Sequence, residues 1–310
     1  MAKGYKNKDP RGKMAFAIRV FANKVKEYAK IHKAPKPDMA MFDEALGYGR
    51  LCNSLLASDL TLRKKSGEFL GSALEKLKLS NPELKFQFWT FTHDRGHTSD
   101  REPTIDIKFL RASADKVLRN LGLAGIYVVE VQGLGNHSLE GEGRMIMVHI
   151  HAITWSVDPP DLVMVERELN ASKHWHNGLG ADPVCVDEVI DAKADLKYLA
   201  YYLFKPPFDV KMMENRQRGP RLKSTLKGYR PEFAVRLLEL LSQFDLRELV
   251  RASGDGKLIR TEWCRRLNYW HRSREQWADG KLPAYYFDDF WDRYRVKKKR
   301  KTYHRYAIIR

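Results

Sequence analysis

The stretch Met145-Ile-Met-Val-His-Ile-His-Ala-Ile-Thr-Trp155 decides how the rest of this chain is read. It is apolar and rich in β-branched residues, with no glycine or proline, which predicts a strand. Strand alternation turns His149 and His151 to one face and Ile150 to the other. Two imidazoles side by side on a sheet face can chelate one divalent metal ion. The pattern is weak alone, because a second copy, His174-Trp175-His176, lies in a polar stretch before Asn177-Gly178 and reads as loop or surface.

Immediately upstream, Ile126–Gln132 (IYVVEVQ) predicts a second strand, joined to the first by the glycine-rich GLGNHSLEGEGR as a hairpin with a long loop. Glu130 and Gln132 are two apart on it and share a face. If the strands pair, one of them completes the histidine set: Glu130 first, Gln132 second. Two nitrogens and an oxygen leave open positions for a substrate phosphate. Further out, Phe86–Thr92 (FQFWTFT) reads as another strand, Val184–Val186 as a short one, and 112–121, 161–169 and 187–204 as helices, the last stopped by Pro206-Pro207. This order predicts an α+β fold with an antiparallel sheet and helices on one face. Before it, residues 13–32 and 38–79 read as helices separated by KAPKP. From 209 onward the chain reads as helical and basic. The expected division is a helical region over 1–80, a core over 81–208 and a basic helical region over 209–310.

The last helix of the core carries Tyr198-Leu-Ala-Tyr-Tyr202-Leu-Phe-Lys205. At about 100° per residue, Leu196, Leu199 and Leu203 share one side. Tyr198, Tyr202 and Lys205 fall within about 60° of one another on the opposite side, with Tyr201 at the margin. The greasy side is expected against the sheet and the tyrosine–tyrosine–lysine stripe in a cleft.

Charge narrows the partner. The 310 residues carry 56 Lys plus Arg against 39 Asp plus Glu, a formal charge of +17. Residues 209–310 hold 26 of the cations and 13 of the acids. The closing RYRVKKKRKTYHRYAIIR interleaves Lys297, Lys298, Lys299, Arg300 and Lys301 with tyrosines, a pattern suited to holding phosphates while rings stack on bases. Such a balance points to nucleic acid. No apolar run approaches the ~18 residues of a transmembrane helix. Three scattered cysteines, Cys52, Cys185 and Cys264, support neither a disulfide framework nor a zinc finger, so a reducing cytoplasm is expected. No GxxxxGK[ST] loop, HExxH or HxE…PCxxC pattern is present, which disfavours an ATP-driven motor, a zinc hydrolase and a deaminase.

Taken together, Phe88-Trp-Thr-Phe-Thr92, His149-Ile-His151 and the YxxxYxxK helix resemble the three ordered motifs of the HUH endonucleases, and among them the two-tyrosine rolling-circle replication initiators (Rep proteins). The resemblance spans roughly 84–207. It implies an RRM/ferredoxin-like nuclease core flanked by helical regions. It also implies Mg²⁺ or Mn²⁺ on His149, His151 and Glu130 or Gln132, and attack by Tyr202 or Tyr198 on single-stranded origin DNA. Lys205 would neutralise the phosphate or steady the phenolate. Host helicase and polymerase are the implied protein partners, in a cytoplasmic, nucleoid-associated setting if the cell is prokaryotic. The acidic residue stands further from the histidines than in the compact family pattern, and the third histidine of plasmid-transfer relaxases is absent after His151. A single-strand transposase shares the same residues, and a non-catalytic basic nucleic-acid-binding protein is the reading of a different class.

Overall fold

The computed structural model of the chain describes residues 9–34, 36–48, 54–101, 103–135, 143–190, 192–216, 219–226 and 229–272. Lys297–Lys301 lie outside the described residues.

Two long helices open the chain. Helix α1 (Pro10–Ile31) starts where Asp9 accepts from the Arg11 amide at 3.1 Å, with proline in the first turn, where its missing N–H costs nothing. Helix α2 (Lys36–Ala45) and helix α3 (Leu60–Ser80) divide the predicted 38–79 helix. Asp59 caps α3 by accepting from the Leu62 amide at 2.8 Å.

The centre of the molecule follows. Strand β1 (Lys85–Ser99), helix α4 (Ile107–Asn120), strands β2 (Ala124–Leu134) and β3 (Met145–Ser156), helix α5 (Leu162–Ala171), strand β4 (Val184–Val189) and helix α6 (Ala192–Leu203) occur in that order. The spatial order β4-β1-β3-β2 has every neighbour antiparallel, as expected. β1 runs seven residues past the expected Thr92, with an irregularity between Thr92 and His97.

The sheet does not end there, and the purely antiparallel expectation is corrected. Strand β5 (Val210–Arg216) runs parallel to β2 at Gly133–Leu134 and forms an antiparallel pair with β6 (Gly219–Thr225). A four-residue strand, β7 (Val250–Ser253), pairs with the opposite end of β2, at Gly125–Val128. The result is a curled, mixed, seven-stranded sheet. The region from 209 onward is therefore not wholly helical: helices α7 (Pro231–Ser242), α8 (Leu246–Leu249) and α9 (Gly256–Arg272) alternate with strands that extend the central sheet.

The expectation of helices on one face is also corrected. Tyr127, on the face opposite Glu130, reaches the Asp115 carboxylate of α4 at 3.0 Å, while Tyr202 of α6 meets His151 on the other face. Both faces are thus covered, which explains why β2 and β3 read as near-continuous apolar runs. Helix α3 lies outside α6, and the approach is close because α3 offers glycines: a Cβ at Gly67 would sit 2.9 Å from the Tyr201 ring, and one at Gly71 would sit 3.6 Å from the Ala200 Cβ. One continuous core runs from Met14 of α1 to Leu267 of α9, so the flanking regions share their interior with the sheet.

Candidate metal centre and tyrosine cleft

The register of the hairpin builds the site. Glu130 pairs directly with His149, Val128 with His151 and Gln132 with Met147. Directly opposed residues on antiparallel strands point to the same side, so the Glu130 carboxylate and both imidazoles converge on the face that α6 covers. All three side chains are buried. The His149 and His151 Nε2 atoms are 3.0 Å apart. Glu130 Oε2 lies 2.9 Å from His151 Nε2 and 3.4 Å from His149 Nε2, yet accepts no hydrogen bond. Two metal–ligand bonds of roughly 2.1 Å meeting at a right angle span roughly 3.0 Å. The three separations therefore match one ion held by three adjacent donors, with its other positions open. Among the described residues this is the only grouping of three or more such side chains with donor atoms within 4.8 Å of one another. This buried Glu/His/His set is suited to a metal ion, and its donors fit several divalent metals.

Neighbouring residues hold the set in place. Thr90 Oγ1 and His151 Nδ1 are 3.0 Å apart, which commits that nitrogen to the threonine and turns Nε2 towards Glu130 and His149. Phe88 stacks on the His151 ring, with centroids 5.1 Å apart. Both residues belong to the FWTFT strand, whose residue composition predicts a strand but not this supporting role. Burial pushes both imidazoles down, His149 well below the ordinary histidine value and His151 to about 3, with the neighbouring His151 and Lys211 adding to the fall at His149. Neutral imidazoles are the form that binds metal.

Gln132 belongs to a neighbouring arrangement. Its amide nitrogen donates to the Asp209 carbonyl at 2.8 Å and to Asp209 Oδ1 at 3.1 Å. It sits one pleat along from Glu130, opposite Met147.

Helix α6 lays its tyrosine face on this centre rather than turning it wholly to a cleft. The Tyr202 ring meets Phe88 at 5.7 Å and His151 at 5.2 Å, both edge to face. Tyr198 is one turn back, its ring 6.3 Å from that of Tyr202 and 5.2 Å from Lys13 Nζ. Tyr201 takes a different side and packs on α3 at Gly67. Lys205 Nζ lies 4.1 Å from the Tyr202 ring centre and forms an ion pair with Glu130 Oε1. Burial pushes this ammonium down to about 7, with Asp209 opposing the fall and Lys211 and Arg63 adding to it. Arg63, from α3, belongs to none of the sequence motifs. It is buried and donates to the carbonyls of Phe204 (3.3 Å) and Lys205 (3.4 Å), fixing the end of α6 that carries the lysine.

Beside the centre opens a cleft of about 460 Å³. Tyr198, Tyr201, Tyr202, Lys205 and Gln132 line its inner side. The second histidine pair is elsewhere and does other work. His176 and Gly178 hold the Asp94 carboxylate at 2.6 and 2.7 Å, and Trp175 is buried against Phe91, so this loop closes the far end of β1. Among the described residues no helix is long and apolar enough to cross a membrane.

No protein-family model, no curated protein and no solved structure matches this chain.

Proposed function

We propose that this chain nicks and rejoins single-stranded DNA at a replication origin through a 5′-phosphotyrosine link, as the rolling-circle initiators of the HUH superfamily do. One observation carries the reading: the ring of a helix-borne tyrosine, Tyr202, rests against a histidine of a buried Glu/His/His donor set on a sheet face. The connectivity β1-α4-β2-β3-α5-β4 with spatial order 4-1-3-2 is that of a ferredoxin-like unit, the core this superfamily uses.

In this reading His149, His151 and Glu130 hold Mg²⁺ or Mn²⁺, which supplies Lewis-acid withdrawal of charge from the scissile phosphate. Tyr202 is the first nucleophile, because its ring touches His151 while Tyr198 stands a turn away. The Tyr202 oxygen forms the new bond to phosphorus and gives up its proton to solvent; the bond to the 3′-oxygen breaks, and that oxygen leaves as a hydroxyl after taking up a proton. The phosphotyrosine conserves the phosphodiester, so a 3′-hydroxyl can reverse the step. Tyr198, four residues back, serves a second cleavage. Lys205, against both Glu130 and Tyr202, is placed to offset phosphate charge once its carboxylate partner is occupied.

The test is a denaturing gel with 5′- and 3′-labelled single-stranded oligonucleotides from the DNA flanking the chain's own gene. With Mn²⁺, a cut appears and the fragment 3′ of it carries protein. Tyr202→Phe abolishes the first cut, Tyr198→Phe spares it, and His149→Ala with His151→Ala abolishes it. DNA binding without any cut in the presence of Mg²⁺ or Mn²⁺ overturns the proposal in favour of a non-catalytic DNA-binding protein.

A further inference from the structure

The wall of the cleft that faces Tyr198 and Tyr202 is built by α1, outside the three motif segments. Pro10, Lys13, Met14, Phe16 and Ala17 all line it. Met14 and Ala17 are buried and anchor the helix, whereas Lys13, Phe16 and Arg19 are exposed. Residues three apart are neighbours on a helix surface, so Lys13 and Phe16 stand at the cleft mouth and Arg19 follows one turn beyond, next to Phe16. Lys13 Nζ lies 5.2 Å from the Tyr198 ring, and the Arg19 guanidinium lies 5.8 Å from the Phe16 ring. Phe208, from the segment after α6, meets Phe16 edge to face at 5.9 Å and closes the opposite lip. Inside, Lys205, already paired with Glu130, and Lys211 line the cleft together with one carboxylate, Asp209.

We infer that this cleft is a nucleotide subsite in which one base of a single strand stacks on Phe16 while Lys13 and Arg19 hold the adjoining phosphates. The inference deepens the proposed function and rests on its reading of single-stranded DNA as the ligand. Three features select that ligand. The volume is within the roughly 300–1,000 Å³ usual for small-ligand pockets, enough for one nucleotide. The walls alternate rings with cations, the combination that binds single strands without reading base edges. The cleft shares Tyr202 and Lys205 with the metal centre, so a strand crossing the centre has its next nucleotide at this opening. Phe16 is 39% exposed at the mouth of this charged cleft, which leaves aromatic surface for a base to cover.

The test is fluorescence anisotropy of the full chain with a labelled oligodeoxythymidine of about 12 nucleotides, in EDTA so that no cleavage contributes. Phe16→Ala is expected to weaken binding about tenfold, Phe16→Trp to restore it, and Lys13→Gln to weaken it and lower its salt dependence. Thermal denaturation checks that each variant is folded; the exposure of Phe16 and Lys13 makes them tolerant sites. Binding unchanged by Phe16→Ala and Lys13→Gln overturns the inference. The two readings fail separately: loss of binding in Phe16→Ala with no cleavage by the unmodified chain keeps the subsite and removes the nickase, whereas cleavage with undiminished binding in Phe16→Ala does the reverse.

Discussion

Lys205 and Glu130 show how a single contact ties charge to function. Glu130 is buried beside two neutral imidazoles, and the Lys205 ammonium is the cation that compensates it. A metal ion at the same carboxylate competes with that ammonium. At pH 6, below the Lys205 value of about 7, Lys205→Met should therefore destabilise the metal-free chain by about 3 kcal/mol, the cost of leaving a buried charge uncompensated. Saturating Mn²⁺ should recover most of that loss, so the Mn²⁺-induced rise in melting temperature is larger in Lys205→Met than in the unmodified chain. Equal rises would show that Lys205 and the ion do not share the carboxylate. The histidines add a pH dependence. Their folded values lie below the unfolded histidine value near 6.5, with His151 at about 3. As pH falls the unfolded chain takes up protons first. The stability is complete above about 6.5 and is lost progressively as pH falls, towards 3 for His151 and in the same direction for His149. In EDTA, melting temperature should drop between pH 7 and pH 4, and His149→Gln with His151→Gln should flatten that drop.

At the scale of elements, the site depends on α6 being pressed onto the sheet, and α3 does the pressing. Gly67 lets the two helices approach until Tyr201 touches α3, and Arg63 ties the α6 terminus to α3 through the Phe204 and Lys205 carbonyls. Gly67→Leu should overpack this interface, costing about 1–3 kcal/mol in urea denaturation. Because the glycine touches Tyr201 rather than the donors, Mn²⁺ affinity should hold while strand cleavage falls. Loss of both together would mean that the donor set is not independent of the α3–α6 packing. Strand alternation made His149 and His151 legible from the sequence as one face, and helical periodicity put Tyr198, Tyr202 and Lys205 together. The sequence ranks Glu130 ahead of Gln132 without deciding between them, because the choice depends on hairpin register across a long loop; pairing Glu130 with His149 points to the former. The tyrosine stripe was legible as a face, but not that this face meets the sheet.

The described residues share one main core with a small second cluster at Leu134, Met145, Met147 and Leu179, and the least legible parts are those that only long-range pairing reveals. Strand β7 has only four residues, and β5, although seven long, has Val210 as its single β-branched residue and meets β2 over two positions, so neither leaves a strand signal in a stretch dominated by basic helices. The α1 wall of the cleft meets residues about 180 positions later, a meeting no local pattern announces. Charge, by contrast, was read directly: the excess of cations after residue 209 is a property of composition. Deleting residues 273–310, which removes Lys297–Lys301, should weaken single-strand binding and lower the slope of log affinity against log salt by roughly 3.5 if those five cations each hold one phosphate, at about 0.7 for each phosphate that the shortened chain no longer neutralises. A slope that does not change would place phosphate binding on residues 1–272 alone. The central claim, a tyrosine placed to exchange a phosphodiester beside a Glu/His/His metal set, is tested most directly by mass spectrometry of the chain after incubation with Mn²⁺ and single-stranded DNA flanking its own gene. The expected result is a covalent nucleotide on Tyr202, absent when EDTA replaces Mn²⁺. DNA bound under the same conditions with Tyr198, Tyr201 and Tyr202 all unmodified would contradict it.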